Sequence, residues 1–387
     1  MKSLFDRTNR SHIAQWWWTV DRGMLACLIT LFVFGVALVI TASPAVAMRI
    51  KLDPSHFIIR HVMVAVPAML IMISVSMLDH RNIRRLGSLV CIGGILMMMA
   101  IPFVGTDIKG AQRWLPLPGI SLQPSEFVKP AFAIVAAWLM AYQKRVSGFP
   151  GYILCACLYM LVISLLMIQP DFGMTMVVTC LFAAQIFLAG LPFRYLTILI
   201  ALAAIGVTGV YFTFDHVRSR FDRFLDPSSG DTFQIDKSLD AFANGGLFGT
   251  GPGQGTVSPT IPDAHADFIF SVAGEELGLL ITLVIVGLYA FILLRGFNRL
   301  MDSNDMFVVL AAGGILSMFG LQALVHMGSS LHLLPTKGMT LPFISYGGSS
   351  ILSMGFAMGV VLGLTRREVR AAVSRGGLAL TLKGSAA

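Results

Sequence analysis

The run MLACLITLFVFGVALVITASP, residues 24–44, carries no charged side chain over its whole length, and a helix needs about 20 such residues to cross the hydrocarbon core of a bilayer. The run does not alternate apolar and polar positions, as a strand of a membrane barrel would. Nine further runs bounded by charge, Pro or Gly follow at 57–78, 86–104, 127–143, 150–168, 172–190, 195–213, 267–294, 306–327 and 346–364. Across all 387 residues, hydrophobic types make up 56% and charged types 12%, and the mean hydropathy is +0.78. A soluble domain carries about a quarter charged residues, so too few polar side chains exist here to coat a water-facing globule. The expected fold class is an all-α polytopic membrane protein of about ten transmembrane helices, with a large extracytoplasmic loop between helices 7 and 8.

The net charge of +8 does not point to nucleic acid, because Lys and Arg sit in short clusters between apolar runs and form no continuous basic face. They read instead as orientation. With the N-terminus inside, the inner connections contain Arg81, Arg84 and Arg85, then Lys144 and Arg145, Arg194, Arg299, and finally Arg366, Arg367 and Arg370, as short cytoplasmic connections should. The expected organisation is a cytoplasmic segment at 1–23, a membrane domain at 24–364 and a cytoplasmic tail at 365–387. Trp16, Trp17 and Trp18 suit a headgroup belt before the first span. Ala45-Val46-Ala47 imitates a leader cleavage site, but the preceding apolar stretch is of transmembrane length and is expected to stay. Cys27, Cys91, Cys155, Cys157 and Cys180 all fall in apolar runs and read as small buried hydrophobes rather than metal ligands.

The outer connections 105–126, 214–266 and 328–345 are long, and long connections are usually functional or disordered. The second, with Asp267, holds eight of the chain's 20 acidic residues: Asp215, Asp222, Asp226, Asp231, Asp236, Asp240, Asp263 and Asp267. Most are expected to be solvated or paired with Arg218, Arg220, Arg223 and Lys237. Asp267 stands apart as the last ionisable group before an apolar stretch, near a helix N-terminus whose dipole favours the anion. It reads equally as a helix cap and as a base. His265 orients a ligand or simply bonds within the loop. Glu275 and Glu276 would lie about 12 to 14 Å deeper on a continuous helix, either in a salt bridge or lining a cavity.

Two more groups contain cations. Lys109-Gly-Ala-Gln-Arg113-Trp114 and the following Gln123-Pro-Ser-Glu126-Phe-Val-Lys129 suit a ligand with phosphate and sugar, Arg and Lys meeting phosphates and Trp offering a flat face. Glu126 and Lys129 are also spaced to pair with each other. Leu334 to Ser350, rich in Pro, Gly and hydroxyl residues, reads as a re-entrant or broken segment, tolerable at membrane depth only where buried or lining a cavity. Lys337 would face that cavity or snorkel to headgroups.

At these segments the sequence closely resembles the SEDS family of cell-wall polymerases, its division branch more than its elongation branch. The carrying residues are Gly110-Ala-Gln-Arg-Trp114, Gln123-Pro-Ser-Glu126, Gln169-Pro-Asp-Phe-Gly173, Gly249-Thr-Gly-Pro-Gly253, Asp263-Ala-His-Ala-Asp-Phe-Ile-Phe270, Glu275-Glu-Leu-Gly278, Pro335-Thr-Lys-Gly-Met-Thr-Leu-Pro342 and Ser345-Tyr-Gly-Gly-Ser-Ser350. The match runs from about residue 20 to 370, with one departure: many relatives have Thr where this chain has Ala266. The resemblance implies a peptidoglycan glycosyltransferase that polymerises lipid II on the outer face of the bacterial cytoplasmic membrane, at the division septum, beside a class B penicillin-binding protein and other divisome proteins. It implies that Asp267 is the catalytic aspartate and that Trp114, Lys129 and Lys337 belong to segments lining a central cavity.

That chemistry needs a base on the acceptor hydroxyl and positive charge at the departing pyrophosphate. Asp267 fits the first role. Arg113, Lys129 and Lys337 fit the second, with Mg²⁺ or Mn²⁺ as a possible aid and no ligand set assigned to it. Two other classes compete: a lipid carrier using Glu275 and Glu276, and a non-catalytic scaffold for the penicillin-binding protein.

Overall fold

A computed structural model describes residues 11–366 apart from 109–110, 118–119, 214–217, 220–221, 223, 225, 227–232 and 336–337. Each expected apolar run overlaps a helix. In chain order these are α2 (Arg22–Arg49), α3 (His56–Ser76), α4 (His80–Val104), α5 (Pro124–Arg145), α6 (Gly151–Ile168), α7 (Phe172–Leu188), α8 (Phe193–Thr213), α10 (Ile269–Met301), α11 (Met306–Ser330) and α12 (Gly348–Leu364). Among the described residues two more helices lie outside the runs, α1 (His12–Thr19) and α9 (Phe233–Gly245). Seven of them are long and apolar enough to cross a membrane, and α7 and α12 are shorter apolar helices. This is an integral membrane protein.

Side chains in the loops start several of these helices. Asp21 Oδ1 accepts from the Met24 amide to open α2, Asp171 Oδ1 does the same for Met174 in α7, and Asp305 Oδ1 for Phe307 in α11, each satisfying a donor that the first turn leaves unpaired. The helix packing has a centre and a rim. Nearly all of α12 and most of α11 are buried, with α5 beside them, whereas α8 buries only Leu199. In lipid the apolar rim costs nothing, so close packing and polar bonds decide which helices lie inside.

Charged groups of the connections expected on the inner side meet at one end of the bundle. The fully buried carboxylate of Asp21 lies 2.7 Å from Arg295 and 2.9 Å from Arg299. Lys144 donates to the Ala189 carbonyl at 2.7 Å, Arg145 pairs with Asp305 at 3.0 Å, and Arg366 donates to the Leu78 carbonyl at 2.9 Å. These are the connections expected to share one face of the membrane. Trp16 departs from the expected headgroup belt, being buried with its indole donating to Ser76 Oγ at 2.8 Å, while Arg22 covers Trp17 and Trp18. Of the cysteines, Cys91 and Cys155 are buried as expected, but Cys157 is exposed on the apolar surface.

The long loops are built rather than slack. Three short strands, β1 (Thr106–Ile108), β2 (Ala111–Leu117) and β3 (Ile120–Leu122), form an antiparallel sheet in the order β1-β2-β3. In the large loop, α9 packs on the start of α10, Arg218 pairs with Asp222 at 3.6 Å and Lys237 with Asp240 at 2.9 Å.

The expected eighth span is not continuous. Gly278 interrupts α10 with φ 76° and ψ 175°, a region open in practice only to glycine. The chain of 246–249 crosses at the break, where Leu279 donates to the Gly246 carbonyl at 3.0 Å and a methyl group on Gly278 would lie 2.3 Å from the Gly249 nitrogen. The first two turns of α10 therefore belong to the loop layer and the rest to the membrane. Gly278→Ala should lower stability by about 2 kcal/mol or more, read as a drop in melting temperature of the detergent-solubilised protein.

Candidate functional site

Asp267 ends a tight turn ahead of α10. Its amide and that of Ala266 both donate to the Asp263 carbonyl, at 3.0 and 2.9 Å, and Asp263 itself takes a positive φ of 53°, a conformation Asp tolerates better than most residues. Asp267 lies one residue before the helix cap, Phe268, whose side chain cannot cap. The carboxylate is half-buried and rests against the segment before α12: a methyl group on Gly338 would stand 3.2 Å from Asp267 Oδ2.

That segment is the broken element expected at membrane depth. Leu341, Phe343, Ile344 and Ser345 are all buried. Phe343 adopts φ 68°, unfavourable for a bulky residue, and its ring is held 4.5 Å from Phe32 and 6.1 Å from Phe319. The backbone finds partners outside any helix or sheet. Ser345 Oγ donates to the Ala266 carbonyl at 2.7 Å and accepts from the Leu341 amide at 2.8 Å, the Tyr346 amide donates to the His265 carbonyl at 2.9 Å, and Tyr289 Oη donates to Pro342. Lys337, expected beside this cavity, lies outside the described residues.

His265 is buried with its ring between Phe57, at 4.5 Å, and Tyr346, at 5.0 Å. Its Nδ1 has no hydrogen-bond partner among the described residues. Of the two uses expected for it, the structure places His265 in packing and in a backbone bond to Tyr346. His61 from α3 completes this cluster, 6.1 Å from Tyr346. Phe57 and His61 were not singled out from sequence, although the Arg60-His61 pair near the start of an apolar span was a usable signal.

The phosphate-type cations sit on a second group of motifs. Arg113 in β2 donates to the carbonyls of Gln169 at 3.0 Å and Pro170 at 2.5 Å, and lies 3.7 Å from Asp171. Gln123 Nε2 donates to the same carboxylate at 3.3 Å. The three motifs Gly110–Trp114, Gln123–Glu126 and Gln169–Gly173 thus interlock, with the half-buried Trp114 next along the strand. Lys129 is 0% exposed and 2.8 Å from Glu126, so the pairing alternative holds for these two.

The start of α12 joins both groups. Gln123 N donates to Ser349 Oγ at 2.9 Å and Ser353 Oγ donates to the Glu126 carbonyl at 2.6 Å. From the same helix start, Ser350 meets Thr340 at 2.6 Å, and Tyr346 just before it reaches His265.

Glu275 has a different task from either one expected. Its carboxylate accepts from Asn244 Nδ2 at 2.7 Å, from the amides of Thr256 and Val257 at 2.8 Å each, and from Ser258 at 2.6 Å. It ties the Gly-rich loop to α9 and α10, with no salt bridge among the described residues. Glu276 is buried beside it, with Oε2 lacking a hydrogen-bond partner among the described residues. Among the described residues no group of three or more His, Cys, Asp or Glu side chains could seat a metal ion.

Fold and site together define a polytopic integral membrane protein whose chemistry-bearing motifs converge at one end of the bundle. A family model described as cell cycle protein, covering FtsW, RodA and SpoVE, matches residues 21–370, and the chain belongs to that family. It is 43% identical to the probable peptidoglycan glycosyltransferase FtsW of Caulobacter vibrioides over 94% of both chains, and 35% identical to the protein of that name in Geobacter metallireducens over 90% of this chain and 95% of the other. Among solved structures it resembles a chain from a peptidoglycan synthase complex that coordinates polymerization and crosslinking, with TM-score 0.74, 27% identity and coverage of 89% and 97%. The rod shape determining protein RodA of Thermus thermophilus follows with TM-score 0.67, 26% identity and coverage of 90% and 97%.

Burial lowers the His265 imidazole to about 4, against a smaller upward pull from Asp263. In the unfolded chain it titrates near 6.5, so between these values the unfolded state binds a proton that the folded state refuses. The stability from this neutral ring is complete above about pH 6.5 and is lost as pH falls toward 4. The melting temperature should fall between pH 7 and pH 5, and His265→Gln should flatten that slope.

Proposed function

We propose that this protein is a peptidoglycan glycosyltransferase that polymerises lipid II during septal wall synthesis, with Asp267 as general base. The observation that carries the reading is the placement of the Asp267 carboxylate: half-buried, at the end of a turn held by Asp263, and against Gly338, 71 residues away in sequence. A base so placed meets a polar substrate at the membrane boundary while its backbone stays fixed.

In the reaction, Asp267 takes the proton from the acceptor 4-hydroxyl as that oxygen bonds to the donor's anomeric carbon from the face opposite the pyrophosphate. The bond from that carbon to the phosphate oxygen breaks, and the configuration inverts. The pyrophosphate departs as an anion, so no second carboxylate has to protonate it. Arg113 and Lys337 stabilise its charge. Lys129, neutralised by Glu126 here, joins them when the donor's phosphates displace that carboxylate. Trp114 offers its ring to a sugar face, and His265 keeps the turn in register through its packing against Phe57 and Tyr346.

The site faces the outside of the bacterial cytoplasmic membrane and both termini face the cytoplasm. Support comes from the clustering of Arg81, Arg84, Arg85, Lys144, Arg145, Arg194, Arg299 and Arg366 on the connections at the opposite end, as the positive-inside rule requires. The partner is a class B penicillin-binding protein of the divisome, which the likeness to a peptidoglycan synthase complex supports.

Purified wild type and Asp267→Asn, each with its partner, are given lipid II. Glycan polymer should fall by about 100-fold or more in the variant, and equal polymer from both would remove Asp267 from the mechanism. Gly338→Ala presses a methyl group to 3.2 Å from Asp267 Oδ2. It should cut the rate about tenfold while leaving the melting temperature within a few degrees of wild type.

A further inference from the structure

The buried segment that flanks Asp267 is pinned from several sides, and one of its pins has no role so far. His326 lies in α11, is 1% exposed, and meets the Met339 carbonyl through Nδ1 at 2.6 Å. A carbonyl only accepts, so Nδ1 carries the proton, and Nε2 of the neutral ring is left an acceptor. Among the described residues Nε2 has no hydrogen-bond partner, and neither does Oε1 of Gln322, one turn earlier on the same helix. A ring with an unsatisfied nitrogen in the core of a membrane protein is costly where Leu would cost nothing. The return is a donor for a carbonyl in a segment that forms no helix or sheet of its own.

The other pins act farther along the segment. Tyr289 holds the Pro342 carbonyl, Ser345 holds the Leu341 amide and the Ala266 carbonyl, and Tyr346 holds the His265 carbonyl. Met339 is the residue next to Gly338, and Gly338 is the residue against the Asp267 carboxylate. We propose that His326 is a positioning residue for glycosyl transfer: its Nδ1–H fixes the Met339 carbonyl and thereby sets where Gly338 stands relative to Asp267. His326 does not touch substrate. Without it the Met339 carbonyl is unpaired, and the near end of the segment is free to shift on the carboxylate.

This inference rests on Asp267 as the base, and its test separates the two. An Asn side chain carries an amide nitrogen at the position of Nδ1, whereas Gln carries one at the position of Nε2, and Leu fills the space with no donor. The full-length protein with its partner is prepared as wild type, His326→Asn, His326→Gln and His326→Leu. Polymerisation of lipid II is measured as kcat and KM, and hydrogen–deuterium exchange is followed in peptides covering 338–346. The Asn variant should keep kcat within about threefold of wild type, while Gln and Leu lose about tenfold or more in kcat with little change in KM. Exchange in 338–346 should rise roughly fivefold or more in the Gln and Leu variants alone.

Wild-type kcat in Gln or Leu overturns the proposal, as does an Asn variant no better than Gln. Unchanged exchange in both Gln and Leu overturns it too. If Leu does not fold, the contrast between Asn and Gln decides. The exchange readout does not depend on which residue is the base, so failure of the Asp267 assignment would appear separately, in the Asp267→Asn assay.

Discussion

Two hydrogen bonds join the turn that carries Asp267 to the buried segment before α12: Ser345 Oγ to the Ala266 carbonyl and the Tyr346 amide to the His265 carbonyl. In a medium without water each group has no other partner to turn to, so breaking either bond leaves a buried polar atom unsatisfied. The two stretches therefore move as one piece. Because the second leads straight into α12, the most enclosed helix of the bundle, the carboxylate inherits the rigidity of the core rather than the looseness of a surface loop. The same helix start reaches Gln123 through Ser349, and through it the Arg113–Asp171 group.

The break at Gly278 is the second constraint. Glu275 and Glu276 lie on the stretch of α10 ahead of the break, and an ionised carboxylate in hydrocarbon would be expensive. Glu275 is instead surrounded by four donors from the loop and α9, which hold 256–258 and α9 against it. The arrangement also takes Glu275 away from any translocation path, since its oxygens are already committed to the loop. Ordered loops follow from the same logic: the sheet of β1, β2 and β3, a carboxylate clamp at 275 and a strap at 338–346 replace the slack that their Gly and Pro content suggests.

Much of the candidate site was readable from residue types alone. Asp267 stood out because it is the last ionisable group before a long apolar run, and the alternatives for Glu126 and Lys129 already included the ion pair that forms. The Pro- and Gly-rich segment before α12 was legible as an interruption, since such residues at membrane depth need a buried setting. Other features were not legible. Arg113 looked free to meet a ligand, yet two of its donors go to carbonyls 56 and 57 residues away. Trp16 looked like a headgroup anchor, yet it reaches Ser76. Neither partner has any local signal, because a carbonyl or a hydroxyl on a distant turn leaves no pattern near the residue it binds.

Sequence by itself determined the number and rough limits of the apolar runs, the side on which cations collect, and the family, because hydrophobic length and charge placement are properties of contiguous residues. Tertiary structure alone decided that α10 breaks, that Glu275 is a clamp, and that Asp267 faces Gly338 under the hold of Ser345, Tyr346 and His326. Those outcomes depend on which backbone atoms come within bonding distance across tens to hundreds of residues. That distance is set by helix packing in the bilayer, and no local window of sequence contains it.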